Sequence, residues 1–447
     1  MSSQSEQEKN KTEKSIDVLQ NKVKKLYEYR DFYLLKRPLE DALRKDDDVK
    51  KELQETLKIF DELADKAQNE DKSRFFYLKG RALNVTQEHD QEAEKLLSKA
   101  LKLNTNLLEA WNELGFCMWK RGDSLGAKKC FLKNPKDKVA LRSLAIVLRQ
   151  QPSTTNDEKI KIIEESLAKA TESVELDPSD GLSWVVLGNS YLVSFFSILQ
   201  SPKKMKQALA AYLQAEKDVI AQVDPDLFYN KGIALQYQEE FLPALESFSK
   251  ASSLDPTWDL PKKKEKKLLT YLETAQHLVS THGKQRPKKL HTMLKGLSLK
   301  HLGPYEENAV SSGEGKVSFT LVALKDLEEG LNKDKVILGK VVSGLHSEDS
   351  VAFSFCITDK NETCVVVTVY NLAEGRGFII GDSVAIPDPY VSKVCFHYKD
   401  KTFDFNSIRV ATPLVLAVNG RRLSREHHAC TTVSTQVSSA AQSGPSS

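Results

Sequence analysis

The chain has 447 residues, of which 40% are hydrophobic and 28% are charged. This length exceeds one compact core, so two or three domains are expected, and the apolar content excludes disorder over most of the chain. The formal net charge of +3 argues against a dedicated polyanion binder such as a histone. The 6 Cys and 9 His show no paired spacing typical of a zinc site or a disulfide framework, so we expect no metal and no cofactor.

The N-terminal segment 1–11 is polar and charged, which predicts a disordered terminus and no secretory signal. The longest apolar stretch, 185–199, is shorter than a membrane span and is interrupted by Gly, Asn and Ser. We therefore expect a soluble intracellular protein with no membrane partner.

A repeated pattern of large and small side chains begins at Trp111. A Leu-Gly pair follows three residues later, and Ala127 and Phe131 complete the pattern. This spacing is that of the 34-residue tetratricopeptide repeat. Small residues let two antiparallel helices approach each other, and large ones fill the gap to the next pair. Further copies begin at Trp184 and Phe228. Three copies in register predict a helical solenoid.

The second copy is longer than the first. Trp184 precedes Ala208 by 24 positions, whereas Trp111 precedes Ala127 by 16, so we expect an inter-helix insertion of eight residues around 200–202. Weaker helical signals complete the solenoid: two long helices in 12–70, degenerate repeats at 80–100 and 144–178, and a capping helix over 262–280.

From about Val317 the period of the apolar residues changes to two, and the short segments are separated by Gly, Asn and Asp. This pattern predicts a small β-barrel or sandwich. The run Gly381–Pro387 (GDSVAIP) resembles the strand entry found in many OB-folds, where a turn leads into a strand that bends around a narrow barrel. The predicted fold class is a multidomain α + β protein, an all-α tetratricopeptide-repeat solenoid followed by a small OB-like β-barrel. The predicted bounds are 1–11 disordered, 12–280 solenoid with capping helix, 281–312 basic connector, 313–422 OB-like domain and 423–447 disordered tail.

The repeat register places one face of each first helix in a concave groove. The groove residues predicted in this way are Asn112, Phe116, Trp119, Lys120, Arg142, Arg149, Gln150, Asn189, Asp226, Tyr229, Gln236 and Tyr237. An Arg pairs bidentately with a carboxylate, and an Asp pairs with a cationic side chain. We therefore expect a short peptide with one acidic and one basic residue and an apolar neighbour. The alternative is a set of solvated helix faces, against which the two aromatic groove positions, Phe116 and Trp119, argue.

Eleven Lys or Arg lie between positions 261 and 300 against two acids, a local charge of +9 that the near-neutral total conceals. Such a stripe is typical of a contact with a nucleic-acid backbone, and the residues predicted to contact RNA are Lys284, Arg286, Lys288 and Lys289. A nuclear-import signal and a solvated linker remain the alternatives.

No nucleotide-binding loop, nucleophile elbow or zinc-protease motif occurs, so no enzymatic activity is expected. In the β-domain, exposed aromatics among Phe355, Tyr370, Phe396 and Tyr398 could stack on bases, although alternating aromatics in a barrel more often form its core. His427 and its neighbouring His and Cys lie in the expected tail and are interpreted as incidental.

The order of repeats, basic connector and small barrel is unusual. Together with Leu148–Gln150, Leu187–Leu192, Lys288–Leu290 and Gly381–Pro387, it resembles the tetratricopeptide repeat protein 5 family over residues 12 to about 422.

The resemblance implies a non-catalytic adaptor in tubulin autoregulation. It would bind the Met-Arg-Glu-Ile or Met-Arg-Glu-Cys start of nascent α- and β-tubulin at the ribosome and promote tubulin mRNA decay through an effector. The register and charge of the groove fit this role: Arg149 would hold the peptide's Glu and Asp226 would hold its Arg. The basic residues Lys284 to Lys289 would lie on ribosomal RNA near the exit-tunnel proteins. The resemblance also implies an alternative, a stress-responsive cofactor that scaffolds a histone acetyltransferase and an actin-nucleation regulator, with a barrel that binds nucleic acid. The expected location is cytoplasmic and nuclear.

Overall fold

The structure is a computed structural model that describes residues 14–198, 200–306, 319–345 and 352–429. The expected disordered segment 1–11 and the tail from 430 lie outside these residues. The chain divides into two compact units. The helical unit comprises the described residues up to 234 together with 249–259, and the barrel unit comprises 235–248 and the described residues from 260 to 429.

The described residues form these α-helices: α1 (Ser15–Asp31), α2 (Lys45–Glu62), α3 (Ala64–Leu83), α4 (Gln91–Leu103), α5 (Leu108–Lys120), α6 (Ser124–Phe131), α7 (Lys138–Arg149), α8 (Asn156–Leu176), α9 (Gly181–Ser197), α10 (Pro202–Ala215), α11 (Pro225–Tyr237), α12 (Phe241–Leu254), α13 (Asp259–Ser280) and α14 (Pro287–Lys295). None of them is long and apolar enough to cross a membrane. Several first turns are capped by a side chain that accepts a backbone N–H, as Asp137 does for α7 and Asp180 does for α9.

Consecutive helices pack in pairs, α3 with α4, α5 with α6, α7 with α8 and α9 with α10. The glycines of the repeat pattern make this possible. A methyl group at Gly115 would lie 2.7 Å from the ring of Phe131, and one at Gly188 would lie 2.5 Å from the ring of Tyr212. Only a residue without a side chain permits these contacts, so the spacing in the sequence sets the distance between the helices.

The insertion expected around 200–202 is distributed over both helices of its pair. α9 has 17 residues, whereas the equivalent α5 has 13. α10 begins at Pro202, six positions before Ala208, whereas α6 begins at Ser124, three positions before Ala127. The extra residues therefore mainly lengthen α9 and α10 rather than forming a loop.

The strands of the barrel unit are β1 (Thr320–Leu321), β2 (Gly330–Leu331), β3 (Lys335–Leu345), β4 (Ala352–Thr358), β5 (Cys364–Tyr370), β6 (Ser383–Pro387), β7 (Tyr390–Tyr398), β8 (Lys401–Val410), β9 (Ala417–Val418) and β10 (Arg421–Arg422). They pair in the order β10-β9-β6-β3-β4-β5-β8-β7-β2, and β1 adds to β3. All neighbours are antiparallel except β5 with β8 and β1 with β3.

The sheet curls because β6 and β7 are two halves of one bent segment. β6 pairs with β3 at one end of the strand order, and β7 pairs with β8 towards the other. Between them lie Asp388, at a φ of 43°, and Pro389. A left-handed residue followed by a proline that cannot donate a ladder hydrogen bond is a compact way to turn a strand. The result is the OB-like barrel that the strand pattern predicts, with Ile337, Phe355 and Ile408 completely buried in its core.

The described part of the expected connector, 281–306, folds within the barrel unit instead of forming a linker. Leu290 and Leu294 of α14 are each 5% exposed. Before α14, Gly283 takes a φ of 67° and lies against the backbone carbonyl of Val342, to which Gln285 Nε2 donates at 2.8 Å. Apolar residues at helical spacing between the lysines explain this packing.

The start of the expected disordered tail is also folded. The N–H of Ala373 donates to the carbonyl of His427 at 2.9 Å, and the N–H of Ala429 donates to the carbonyl of Asn371 at 2.8 Å. His427 and His428 therefore belong to a segment paired with the loop after β5. No group of three or more His, Cys, Asp or Glu that could hold a metal occurs in the described part of the chain.

Candidate peptide-binding groove

The predicted groove residues lie on four first helices of the repeats. α5 carries Asn112, Phe116, Trp119 and Lys120; α7 carries Arg142 and Arg149, with Gln150 at its C-cap; α9 carries Asn189; α11 carries Asp226, Tyr229, Gln236 and Tyr237. Gln236 and Tyr237 fall in the barrel unit, and the other residues fall in the helical unit.

Arg149 ends α7 with one nitrogen of its guanidinium hydrogen-bonded and another buried without a hydrogen-bond partner among the described residues. Its Nη1 donates to Ser190 Oγ at 2.6 Å and to Ser166 Oγ at 3.2 Å. Its Nε is buried and has no hydrogen-bond partner among the described residues. Burial lowers the pKa of Arg149 to about 10. The unpaired Nε edge of a buried guanidinium is the geometry that a carboxylate occupies in a bidentate pair.

Asp226 supplies the opposite charge near Arg149, and its field favours the charged form of Arg149. It lies half-buried in the first turn of α11, where its N–H donates to Asp224 Oδ1 at 2.9 Å. Burial raises the pKa of Asp224, and the charges of Lys45 and Arg142 oppose that shift. A cation and an anion therefore lie within electrostatic reach of each other in this part of the groove.

The residues at the C-terminal end of α5 form hydrogen bonds with neighbouring segments of the helical unit. Trp119 Nε1 donates to Gln150 Oε1 at 2.7 Å. Lys120 Nζ donates to the carbonyl of Asn84 at 2.7 Å, to its side-chain Oδ1 at 2.7 Å and to the carbonyl of Thr86 at 2.6 Å. Burial lowers the pKa of Lys120 to about 8. Because its three donors are occupied, Lys120 fixes the α3–α4 turn and is not a free cation for a ligand.

Three other polar groove residues have structural partners as well. Arg142 Nη1 lies 2.7 Å from Oδ2 of Asp180, the N-cap of α9. Asn112 is 8% exposed and donates to Asp137 Oδ2 at 2.8 Å. Asn189 accepts the hydroxyl of Tyr212 at 2.8 Å. The prediction that all of these line an open surface was too broad, because Arg142 and Asn112 contact the N-caps of the next first helices and Asn189 contacts α10 of its own helix pair.

For the aromatic residues of α11 the register was misleading. Tyr229 is 2% exposed, and its ring centroid lies 4.7 Å from that of Trp258, so its placement in an open groove is wrong. Tyr237 packs its ring 4.8 Å from that of Tyr370, and its carbonyl accepts from Arg409 Nη1 at 2.8 Å. Gln236, next to it, is half-buried. The α-helical period places these residues on one face, but their neighbours cover that face.

The four predicted RNA contacts are all exposed, at Lys284, Arg286, Lys288 and Lys289. None of them forms an ion pair with a described residue. We call these four residues the basic surface. It lies on α14 and the turn before it, which the buried leucines of α14 hold against the barrel unit.

Three of the four aromatic residues that were predicted to stack on bases are buried in the barrel unit. Phe355, Tyr370 and Tyr398 are 0%, 4% and 8% exposed, and Phe396 is half-buried with its ring 5.2 Å from that of Phe403. Tyr370 and Tyr398 instead donate their hydroxyls to glutamates of the barrel unit. The suggestion that they stack on bases is wrong for the three buried rings.

Sequence reasoning missed the contribution of the first two helices. Arg30 on α1 and Lys45 and Val49 on α2 line a cavity together with Phe116 and Trp119. The segment 12–70 carries no repeat signature from which a register could be read. The sequence analysis also missed Ser166 and Ser190, the partners of Arg149. A serine within a helix gives no indication in the sequence of which side chain its hydroxyl will contact.

Comparison with known proteins places these features in a family. Residues 318–432 match the model of the tetratricopeptide repeat protein 5 OB fold domain. The chain is 42% identical over 426 residues to tetratricopeptide repeat protein 5 of Homo sapiens, covering 94% of this chain and 96% of that protein. It is 40% identical over 434 residues to the Bos taurus protein of the same name, covering 96% and 98%. The chain belongs to the tetratricopeptide repeat protein 5 family.

Solved structures resemble parts of the chain. A tetratricopeptide repeat protein of Thermus thermophilus is 17% identical, with a TM-score of 0.34, covering 40% of this chain and 90% of that one. YrrB, described as a TPR protein with an unusual peptide-binding site, is 22% identical, with a TM-score of 0.31, covering 45% and 96%. Family membership and the repeat architecture assign the chain a role as a protein-interaction adaptor.

Proposed function

We propose that the chain is a non-catalytic adaptor in tubulin autoregulation. It binds the Met-Arg-Glu-Ile or Met-Arg-Glu-Cys start of nascent α- and β-tubulin at the ribosome and recruits an effector that degrades the tubulin mRNA. The observation that carries this proposal is the unpaired Nε of Arg149 in a groove that also holds Asp226. The two charges match the adjacent Glu and Arg of the peptide.

Arg149 receives the peptide's Glu, because the Ser190 and Ser166 hydroxyls hold its Nη1 and its buried Nε has no hydrogen-bond partner among the described residues. Asp226 receives the peptide's Arg. A charge-assisted hydrogen bond contributes about 1.5–3 kcal/mol, so these two contacts give a short peptide most of its specificity.

The basic surface provides the second contact, with ribosomal RNA. Its four cations are exposed and have no ion-pair partners among the described residues, so phosphates can pair with them without first displacing an acid. The alternative role, a nuclear cofactor whose barrel binds nucleic acid, depends on exposed barrel aromatics. We do not adopt it, since three of those four rings are buried.

A double-mutant cycle tests the groove assignment. Binding of a dye-labelled Met-Arg-Glu-Ile peptide is measured by fluorescence anisotropy for the native chain and for Arg149→Lys, each with the peptide's Glu kept or replaced by Gln. Either change alone should weaken binding about 10- to 100-fold, and the two together should cost little more than one. Lys161→Ala, an exposed change on α8, is the control and should bind normally. Additive losses would contradict the Arg149–Glu pairing, and unchanged binding in both single changes would refute the groove.

A further inference from the structure

Strand β7 has a neighbouring strand along only one of its two edges for most of its length. Its nine residues pair with β8 without a register shift. On the other edge, β2 pairs with Tyr390 and Val391 alone. β2 begins at Gly330, whose φ of 91° breaks the extended conformation that further pairing would need. From residue 392 onwards this edge of β7 therefore pairs with no strand in the described part of the chain.

The turn between β7 and β8 determines which backbone groups face the unpaired edge. Because the turn contains two residues, the strand residues on either side of it, Tyr398 and Lys401, form a hydrogen-bonded pair. Such pairs alternate along an antiparallel ladder, so every second residue of β7 directs its N–H and C=O away from β8. These residues are Val391, which pairs with β2, and then Lys393, Cys395 and His397. We call the last three the open edge, and their backbone groups form no hydrogen bond with any described residue.

The opposite edge of the same hairpin is covered. Gln276 of α13 lies beside β8, where its Nε2 donates to the carbonyl of Thr402 at 3.2 Å and its Oε1 accepts from the N–H of Asp404 at 2.9 Å. One side-chain amide thus satisfies two backbone groups with which a further strand would pair. The open edge has no such cover among the described residues, so its N–H and C=O groups can pair with another chain.

The side chains of the open edge are exposed, and none of them is acidic. Lys393 forms no ion pair with a described residue. Asp404, an acid on the same face, lies one strand away on β8, opposite Cys395. Phe396 belongs to the other face of β7 and is half-buried. A strand added here would place alternate side chains beside Lys393 and His397, where acids are favoured, and the others beside Phe396, where apolar residues are favoured.

We propose that the open edge binds an extended acidic segment of a partner protein, which adds to the sheet as an antiparallel strand. Main-chain hydrogen bonds supply the affinity, and Lys393 selects acidic residues at alternate positions of the segment. The inference goes beyond the proposed function, because it depends on neither the groove nor the basic surface.

The probe is a dye-labelled peptide, Val-Glu-Val-Glu-Val-Glu-Val, whose binding to the full chain is measured by fluorescence anisotropy. N-methylation of its three Glu removes the N–H groups that pair with the open edge and should weaken binding about 10-fold or more. N-methylation of three Val is the matched control and should leave binding nearly unchanged. A peptide with Lys in place of Glu should bind about 3- to 10-fold more weakly, and Lys393→Glu should reverse this preference.

Cys395→Pro removes one N–H of the open edge and no hydrogen bond to β8, so it should weaken binding of the Glu peptide about 10-fold. Cys395→Ala keeps that N–H and should bind normally. Residue-resolved hydrogen exchange checks the fold and the site together. The amides of Val394 and Phe396, which face β8, should stay protected in both variants. In the native chain, the amides of Lys393 and His397 should become protected only when the peptide is added.

Several outcomes would overturn the proposal. These are equal binding of the two methylated peptides, native affinity in Cys395→Pro with Val394 and Phe396 still protected, and no binding of the Glu peptide to the native chain. Binding without added protection of the Lys393 and His397 amides would place the peptide elsewhere and would equally overturn it. A Lys peptide that binds the native chain as tightly as the Glu peptide would refute the acidic character of the partner.

Discussion

Glu239 Oε1 and Arg409 Nη1 lie 3.0 Å apart in the barrel unit, with only 3% of the Glu239 side chain exposed. The same carboxylate oxygen accepts the hydroxyl of Tyr370 at 2.9 Å. Burial raises the pKa of Glu239 even though Arg409 opposes the shift. The pair fixes the turn after α11, whose residue Glu239 has a φ of 65°, to strand β8.

Removal of Arg409 should therefore be costly. Arg409→Met leaves a buried carboxylate without its cation and should destabilise the barrel unit by about 3–5 kcal/mol. The double change Arg409→Met with Glu239→Gln should recover part of the loss. The four Trp, at 111, 119, 184 and 258, all belong to the helical unit, so the measurement is hydrogen exchange of β5 and β8 rather than Trp fluorescence. Equal protection of β5 and β8 from hydrogen exchange in the native chain and in Arg409→Met would contradict the prediction.

Gly188→Ala tests the close approach of α9 and α10. The added methyl group meets the ring of Tyr212 and should cost about 1–3 kcal/mol in overpacking, offset by up to about 1 kcal/mol of helix propensity. Urea unfolding followed by Trp fluorescence should show a lower midpoint. Lys95→Ala, on the exposed face of α4, is the control and should stay within about 0.5 kcal/mol of the native chain. A stabilised Gly188→Ala variant would show that the ring moves aside freely.

Asp177 should make the stability of the helical unit depend on acid pH. The carboxylate of Asp177 accepts a hydrogen bond from Lys138 Nζ at 2.7 Å. This bond, together with those from the hydroxyl and N–H of Ser179, lowers the pKa of Asp177 to about 2. A depressed pKa in the folded state stabilises the fold above the unfolded pKa of about 3.9, and this contribution is lost as the pH falls towards 2. The melting temperatures of the native chain and Asp177→Asn should therefore differ at pH 5 and converge between pH 4 and pH 2.

The control for this pH dependence is Glu175→Gln, an exposed change on α8, the helix that Asp177 follows as its C-cap. The melting temperatures of the native chain and Glu175→Gln should not converge between pH 4 and pH 2. A constant difference between the native chain and Asp177→Asn from pH 5 to pH 2 would refute the role of Asp177.

Reversal of the charge of the basic surface should reduce the fraction of the protein that sediments with ribosomes and leave binding of the free peptide unchanged. The variant carries Glu at all four positions, Lys284, Arg286, Lys288 and Lys289. Each lost phosphate contact should reduce the slope of log affinity against log salt by about 0.7–0.9. Reversal of Lys325 and Lys333, exposed cations elsewhere in the barrel unit, should have little effect. Ribosome binding with the native salt slope would contradict the proposed RNA contact.

The sequence predicts those parts of the fold that depend on local spacing. Trp111, Gly115, Ala127 and Phe131 define one helix pair because each side chain has a fixed place in a contact between helices. The alternation of apolar residues in 336–418 likewise predicts the strands, since successive side chains of a strand point to opposite faces of the sheet.

Spacing could not predict which polar side chains would remain open to a ligand. Arg142 and Arg149 have similar positions on α7, but one meets the cap of the next repeat and the other keeps an unpaired edge. Tyr229 is covered by Trp258, a residue 29 positions later, and nothing near Tyr229 indicates this contact. Such outcomes depend on tertiary partners, which the spacing of residues along the chain does not contain.

The turn at Gly283 gives the basic surface a property that a flexible linker would lack. Because that turn lies against Val342 and α14 is anchored through its leucines, the backbone carrying the four cations is already ordered before anything binds. If the basic surface binds RNA as we propose, little conformational entropy of this backbone would be lost on contact. The four cations also start from an ordered backbone, so phosphates arranged to match it would be favoured over an equal density of negative charge. The surface would then distinguish one RNA geometry from another, which net charge alone cannot do.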